Sequence, residues 1–190
     1  LTFPICRKGF IFFGFLMLKV LPLKRLLLSK PKGIILSKHI LEMCWKSNPD
    51  GAGFMVAKDN ELILKKGFFT LEAFLNEYEN YKNENLVAHF RWATHGNKDE
   101  ENCHPFQVNE NLAFAHNGVI NGIHKAGSPK SDTWHFNESL KSIKDMWETS
   151  RFKEPLSKIL HLLGYSKLVF MDNKGNHYIH NEDAGNWKDG

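Results

Sequence analysis

The order of elements along this chain predicts an α+β domain with antiparallel strands. Three observations carry that expectation. At 190 residues with 42% hydrophobic content, the chain fits one globular domain with a proper core. Strand-like runs come in adjacent pairs joined by turn signals, at Asp59-Asn60 and at Asn173-Lys174-Gly175. Helical periodicity stands in separate blocks rather than alternating with single strands, which argues against a parallel doubly wound sheet.

The first element is an apolar run, GFIFFGFLML over residues 9 to 18, behind Arg7 and Lys8. A transmembrane helix needs about 20 apolar residues. Lys19, Pro22, Lys24 and Arg25 interrupt this run and no small-residue cleavage site follows, so residues 1–23 are expected to be an apolar leader or non-native extension, or to include a buried strand. No membrane association is expected. From Arg25 to Ile35, RLLLSKPKGII reads as a strand, a turn at Pro31 and Gly33, and the start of a second strand.

Ser37 caps a helix whose apolar face carries Ile40, Leu41 and Cys44, and which stops before Asn48-Pro49-Asp50-Gly51. A hairpin follows, GAGFMVAKD and ELILKKGFF. Thr70 caps the helix TLEAFLNEYENY, with Ala73, Phe74, Glu77 and Tyr78 at helical intervals. Leu86–Phe90 reads as a strand, and residues 91 to 111 as a long polar loop before a strand over Leu112–Ala115. Loops of that length inside a compact domain usually carry function. Helices are expected over 133–147 and 155–163, and a last hairpin over 167–180.

Charge and cysteine content exclude some functions. Net charge is only +4, with 25 basic residues scattered among 21 acids, so no basic stripe indicates nucleic acid. Cys6, Cys44 and Cys103 are too few and too widely spaced for a disulfide framework or a zinc ribbon, and they suit a reducing compartment such as the cytoplasm. The chain starts at Leu1 and stops soon after Trp187, which reads as a mis-set start or a fragment incomplete at its C-terminus.

Four segments hold residues that are costly to bury without a role: NPDGAGF (48–54), HFRWATHG (89–96), NCHPF (102–106) and AHNGVI (115–120), with Ser131-Asp132-Thr133 soon after. Together they can hold an amino-acid zwitterion. Arg91 can pair with an α-carboxylate and Asp132 with an α-ammonium. The Asn117 amide and the Gly118 backbone N–H can aim at a developing oxyanion. Taken singly, each piece has a plainer reading: Arg91 as an ion pair, Asn117-Gly118 as a turn, Trp92 as a wedge against the core, Cys44 and Cys103 as small core residues. His95, His104, His116 and Cys103 raise a metal site, but none of the usual zinc spacings occurs and no metal is expected.

In order, spacing and wording these segments resemble the class II glutamine amidotransferase domain of the N-terminal nucleophile hydrolase superfamily. Arg91-Trp92-Ala93-Thr94-His95-Gly96 carries most of the resemblance, followed by Asn102–Pro105, His116-Asn117-Gly118 and Ser131-Asp132-Thr133. It is similar to compact stand-alone or phage-type members and spans about Arg25 to Trp187, placing the domain over 24–190. The resemblance implies a four-layer αββα sandwich of two antiparallel sheets between helices, and no cofactor. It further implies that Arg91, with Trp92, Thr94 and His95, binds the glutamine α-carboxylate end, that Asp132 binds the ammonium, and that Asn117 and Gly118 form the oxyanion hole. Gly53 would lie beside the nucleophile, and His104 and His116 would buttress the loops.

Family members begin with a cysteine whose thiol attacks the glutamine amide while its own α-amino group acts as base. A free α-amine titrates near ~7.7 to 8.0, so it exchanges protons near neutrality. On this pattern the cysteine position ahead of RLLLSKPKG holds Lys24. Cys6 is the only upstream thiol, and using it requires removal of residues 1 to 5. Three accounts stay open: a misread start in front of an ordinary domain, a relative that binds glutamine or a similar amino acid without hydrolysing it, or processing that exposes Cys6. No ammonia-accepting domain can be named.

Overall fold

The computed structural model describes residues 10–12, 26–123, 125–143, 166–182 and 186–188. Its strands are β1 (Phe10–Phe12), β2 (Leu26–Lys30), β3 (Ala52–Lys58), β4 (Glu61–Phe68), β5 (Asn85–Phe90), β6 (Phe106–Asn109), β7 (Leu112–Asn117), β8 (Lys167–Asp172), β9 (His177–His180) and β10 (Asn186–Lys188). The described helices are α1 (Lys38–Ser47), α2 (Leu71–Glu79) and α3 (Asp132–Ser142). One sheet runs in the order β10-β1-β2-β5-β3-β4 and the other β6-β7-β8-β9. Every pairing is antiparallel.

Local chemistry sets the boundaries. The side chains of Ser37, Thr70 and Ser131 accept from the backbone N–H of Ile40, Ala73 and Trp134 at 3.3, 3.2 and 3.1 Å, giving each helix a hydroxyl cap. Asp59 and Asn60 turn the β3–β4 hairpin with φ of 53° and 62°, the left-handed pair that a two-residue turn between twisted strands needs.

Side-chain parity then builds the layers, because neighbours in a strand face opposite sides. Leu26 and Leu28 of β2, Phe54 and Val56 of β3, and Leu86, Ala88 and Phe90 of β5 pack with Leu41 and Cys44 of α1 and Phe74 and Tyr78 of α2. The alternate residues Leu27, Met55, Ala57 and Val87 meet Ala113, Ala115, Val169 and Met171 of the second sheet. The far face of that sheet, with Phe114, Leu168 and Phe170, packs on Phe136 and Leu140 of α3. The order is helices, sheet, sheet, helix: the expected four-layer αββα sandwich.

Several expectations need correction. No second strand forms over Gly33–Ile35; Gly33 N–H donates to the Asn83 carbonyl at 2.8 Å and Leu36 N–H to the Tyr78 hydroxyl at 2.8 Å, so the segment is tied down as a loop. The expected loop 91–111 contains β6, where Phe106 and Val108 are buried beneath α3. Ala73 is exposed, and the apolar face of α2 is Phe74 and Tyr78. α3 starts at Asp132 and ends at Ser142, short of the expected 147, with Ile143 as its C-cap.

Of the apolar run 9–18, Phe10–Phe12 forms β1 between β2 and β10. The rest of residues 1–23, Lys24 and the expected helix 155–163 lie outside the described residues. No helix among the described residues is long and apolar enough to cross a membrane.

Gly53 sits inside β3, between His89 of β5 and Lys66 of β4. A Cβ there would press on the His104 carbonyl and lie 2.7 Å from the Lys65 carbonyl, both of them backbone. Gly53→Ala is therefore expected to lower unfolding free energy by about 1–3 kcal/mol, read as a lower urea midpoint with an unchanged slope; an unchanged midpoint would refute this packing.

Candidate active site

Parity that fills the inter-sheet layer also delivers polar groups to one end of it. On β5 the inward series Val87, His89 continues to Arg91 just beyond the strand, and on β7 the inward series Ala113, Ala115 continues to Asn117. β2 begins at the same end, since Leu26 pairs with Phe90. The second sheet and α3 add Gly118, Ser131, Asp132 and Thr133 to a cavity also lined by His89, Arg91 and His104. Trp92, Thr94, His95 and His116 complete it.

The structure thus brings together eight of the sequence-predicted residues: Arg91, Trp92, Thr94, His95, His104, His116, Gly118 and Asp132. Asn117 lies at the end of β7, directly before Gly118, and is buried. Gly53 lies behind the cavity, under the His104 carbonyl. Cys6 is outside the described residues.

Arg91 is 4% exposed. A buried guanidinium is tolerable only when its donors are met. Its Nη1 donates to the Asn97 carbonyl at 2.7 Å and its Nη2 to the His95 carbonyl at 2.9 Å, so the loop it opens curls back around it. Its backbone is bonded to the NPDG segment, with Arg91 N–H donating to Gly51 O at 2.8 Å and Asp50 N–H donating to Arg91 O at 3.1 Å. Burial pulls the guanidinium below its usual pKa, while the neighbouring Cys103, Asp99, Asp50 and Asp132 pull it back up.

Asp50 also accepts the Ala93 N–H at 2.9 Å and pairs with Lys98. Its burial raises the carboxyl, but the Lys98 and Ala93 hydrogen bonds and the charges of Lys98 and Arg91 outweigh that and hold it below the usual range. Neither the Asp50 role nor that of Asn102 was legible as more than motif spelling. The fully buried Asn102 amide donates to Asp99 and to the Pro129 carbonyl at 2.8 and 2.9 Å and accepts the Ser131 N–H at 2.6 Å, fastening the loop to the head of α3.

Asp132 is 6% exposed in the first turn of α3, where the helix dipole favours an anion. Its Oδ2 accepts the Ile120 N–H at 2.7 Å and its Oδ1 the Thr133 N–H at 2.9 Å. A carboxylate with two such bonds still has lone pairs for a cation. The free volume in the cavity is about 30 Å³.

The His104 ring lies against His89, 3.9 Å between centroids with the planes tilted by 40°, and stands 6.3 Å from that of His116. Neither ring nitrogen of His104 finds a hydrogen-bond partner among the described residues. Burial, then the neighbouring His89, His116, Arg91 and Lys66, push its pKa well below the usual histidine value. His104 is thus neutral, as its neighbours require. Cys103 and Cys44 are both buried and line no part of the cavity. Burial raises both thiols, Cys44 to about 12, which fits core residues rather than nucleophiles.

Two packed antiparallel sheets between helices, with a polar cavity at the strand ends, form an αββα sandwich consistent with an N-terminal-nucleophile-hydrolase-like fold. Residues 67–137 match the family described as glutamine amidotransferases class-II. Over that stretch the chain is similar to a class II glutamine amidotransferase domain. Among its relatives, the glutamine--fructose-6-phosphate aminotransferase of Wigglesworthia glossinidia brevipalpis is 32% identical over 117 residues, 59% of this chain and 17% of that enzyme. That of Helicobacter pylori is 42% identical over 74 residues, 37% of this chain and 12% of its own. The enzyme so named from Pectobacterium atrosepticum is 53% identical over 34 residues, 18% and 5% of the two chains. The chain therefore spans less than a fifth of the length of these relatives.

The buried neutral His104 sets an acid limit on the fold. Because its folded pKa is depressed, the unfolded chain binds a proton that the folded chain rejects once pH drops below ~6.5. Stability should be full above that value and decline as pH falls from it. Urea midpoints at about pH 7.5 and 5 are expected to separate for the wild type and to separate less for His104→Phe; equal separation would show that His104 does not carry the dependence.

Proposed function

We propose that this domain binds glutamine, and that in relatives with the nucleophile in place the same site hydrolyses the side-chain amide to glutamate and ammonia. The observation that carries the reading is the sharing of one cavity by Arg91 and Asp132, beside Gly118. The two charges match the two ends of a free amino acid. Arg91 keeps donors beyond the two spent on His95 and Asn97 and takes the α-carboxylate. Asp132 takes the α-ammonium.

The side chain then reaches toward the end of β7, where the Asn117 amide and the Gly118 N–H stabilise the oxyanion. Trp92, Thr94 and His95 close over the amino acid, and His104 and His116 support the loops beneath. In an active member an N-terminal cysteine thiol adds to the amide carbon and the C–N bond breaks. Ammonia leaves with a proton returned by the α-amine, and water cleaves the glutamyl thioester to glutamate.

In this chain Lys24 stands at the cysteine position, which favours a second reading, an amino-acid-binding relative without hydrolysis. Lysine has no thiol, and an acyl group on its amine would be a stable amide. The sugar phosphate named in the relatives is not carried over. The free cysteines suit a reducing compartment such as the cytoplasm.

Calorimetry with glutamine should show one-site binding that Arg91→Ala abolishes; equal binding by that variant would refute the reading. Purified chain is expected to release no glutamate from glutamine. Release together with labelling of Cys6 by a thiol-reactive glutamine analogue would instead make it a working glutaminase.

A further inference from the structure

We propose that Ser166 is a positioning residue for the turn after β7, acting on the Val119–Ile120 peptide directly and on His116 through its tautomer. Its consequence for ligand rests on the glutamine reading; the hydrogen-bond network does not.

Ser166 is 2% exposed, directly ahead of β8, and no motif marks it. Its Oγ lies 3.1 Å from the Val119 carbonyl and 3.1 Å from His116 Nε2. A serine hydroxyl carries one proton, and a carbonyl can only accept. We assign that proton to Val119, whose oxygen has none to offer in return, so that Ser166 offers His116 a lone pair and the ring carries hydrogen on Nε2.

Nδ1 of the neutral ring is then an acceptor, and the Thr133 hydroxyl meets it at 2.8 Å. The competing Thr133 bond to Asp132 Oδ1 is longer, at 3.4 Å, so the Thr133 proton goes to His116. Donation runs in one direction, from Thr133 on α3 to His116 on β7, to Ser166, to Val119.

The end point of that chain is half of a clamp. The Val119 carbonyl and the Ile120 N–H belong to the same peptide unit. Ser166 donates to its oxygen, and Asp132 Oδ2 accepts from its nitrogen at 2.7 Å. One peptide plane is thereby fixed from both sides, together with the direction in which the Asp132 carboxylate presents its remaining lone pairs. Gly118 is locked against the same group: at φ 152°, a Cβ on it would fall 2.6 Å from Ser166 Oγ and 2.9 Å from His116 Nε2. Without the Ser166 hydroxyl the peptide can rotate, and both Gly118 and Asp132 lose their aim.

The test uses the full chain with ¹⁵N-labelled histidine. Long-range proton–nitrogen correlation reads the His116 tautomer, assigned by its loss in His116→Asn. Wild type is expected to show Nε2–H. Ser166→Ala is expected to lose that preference and to weaken glutamine binding about tenfold by calorimetry, with unchanged far-ultraviolet dichroism. Thr133→Ser, which keeps the hydroxyl, should retain both properties. Thr133→Val should shift the tautomer from the other end, which decides the matter if Ser166→Ala does not fold. A wild-type ring protonated on Nδ1, or a folded Ser166→Ala with unaltered tautomer and affinity, overturns the proposal. Absence of glutamine binding by wild type would sink the functional reading alone, leaving the tautomer to judge the network.

Discussion

A buried guanidinium governs this structure. Arg91 emerges at the end of an otherwise apolar layer between two sheets, and nearly everything around it meets its hydrogen-bonding or charge requirements. The chain after it must curl so that the His95 and Asn97 carbonyls face inward, which occupies the loop with polar backbone that a simple strand connection would not need. The curl is then fastened from outside, by Asp50 to the Ala93 N–H and by Asn102 to the head of α3. Asp99, Asp50 and, least of the three, Asp132 offset the Arg91 charge, and Asp132 also holds the Ile120 N–H. One cation thus ties β5, the 92–105 loop, α3 and the turn after β7 into a single unit.

Elements whose chemistry is local were legible in the sequence. Ser37 and Thr70 cap by bonding three residues ahead, and Asp59-Asn60 adopts the only turn its left-handed torsions allow, so neighbours alone determine them. Failures came where tertiary context decides. β6 is four residues inside a polar stretch, and Phe106 and Val108 become a strand only because α3 and Phe114 bury them. Gly33–Ile35 has strand composition, yet its backbone donors are satisfied by Asn83 and Tyr78, distant in sequence, and no partner strand is left for it. The same division holds for the site. Arg91, Asp132 and Gly118 were named from motif order, whereas Ser166 is an isolated serine whose partner His116 is 50 residues away.

Geometry narrows the question of the nucleophile. β2 begins beside the end of β5 that delivers Arg91, because Leu26 pairs with Phe90. The start of β2 thus lies at the end of the sheet where the cavity forms. Neither described cysteine can substitute. Cys44 lies beneath the first sheet with α1, and the Cys103 sulfur is packed where a Cβ on Gly51 would sit, 2.6 Å away. Both thiols resist ionisation, and a neutral buried thiol attacks nothing. Any sulfur chemistry in this chain has to come from residues 1–25.

The polar set at the end of the inter-sheet layer is costly to bury. Buried ion pairs rarely stabilise a fold more than well-packed apolar residues of the same volume would, because desolvation cancels most of the Coulomb gain. Here the layer is apolar along most of its length, with alanines, valines and methionines in close contact, so an apolar end was available to it. Instead that end holds Arg91, His104 and Asp132, one of them an imidazole with no hydrogen bond among the described residues and a strongly depressed pKa. Such a cluster is costly to bury, and further buried polar residues, Asn102, Thr133 and Ser166, hydrogen-bond around it. Arg91 and Asp132 line one small cavity, and perturbed, buried polar groups of this kind cluster at functional sites.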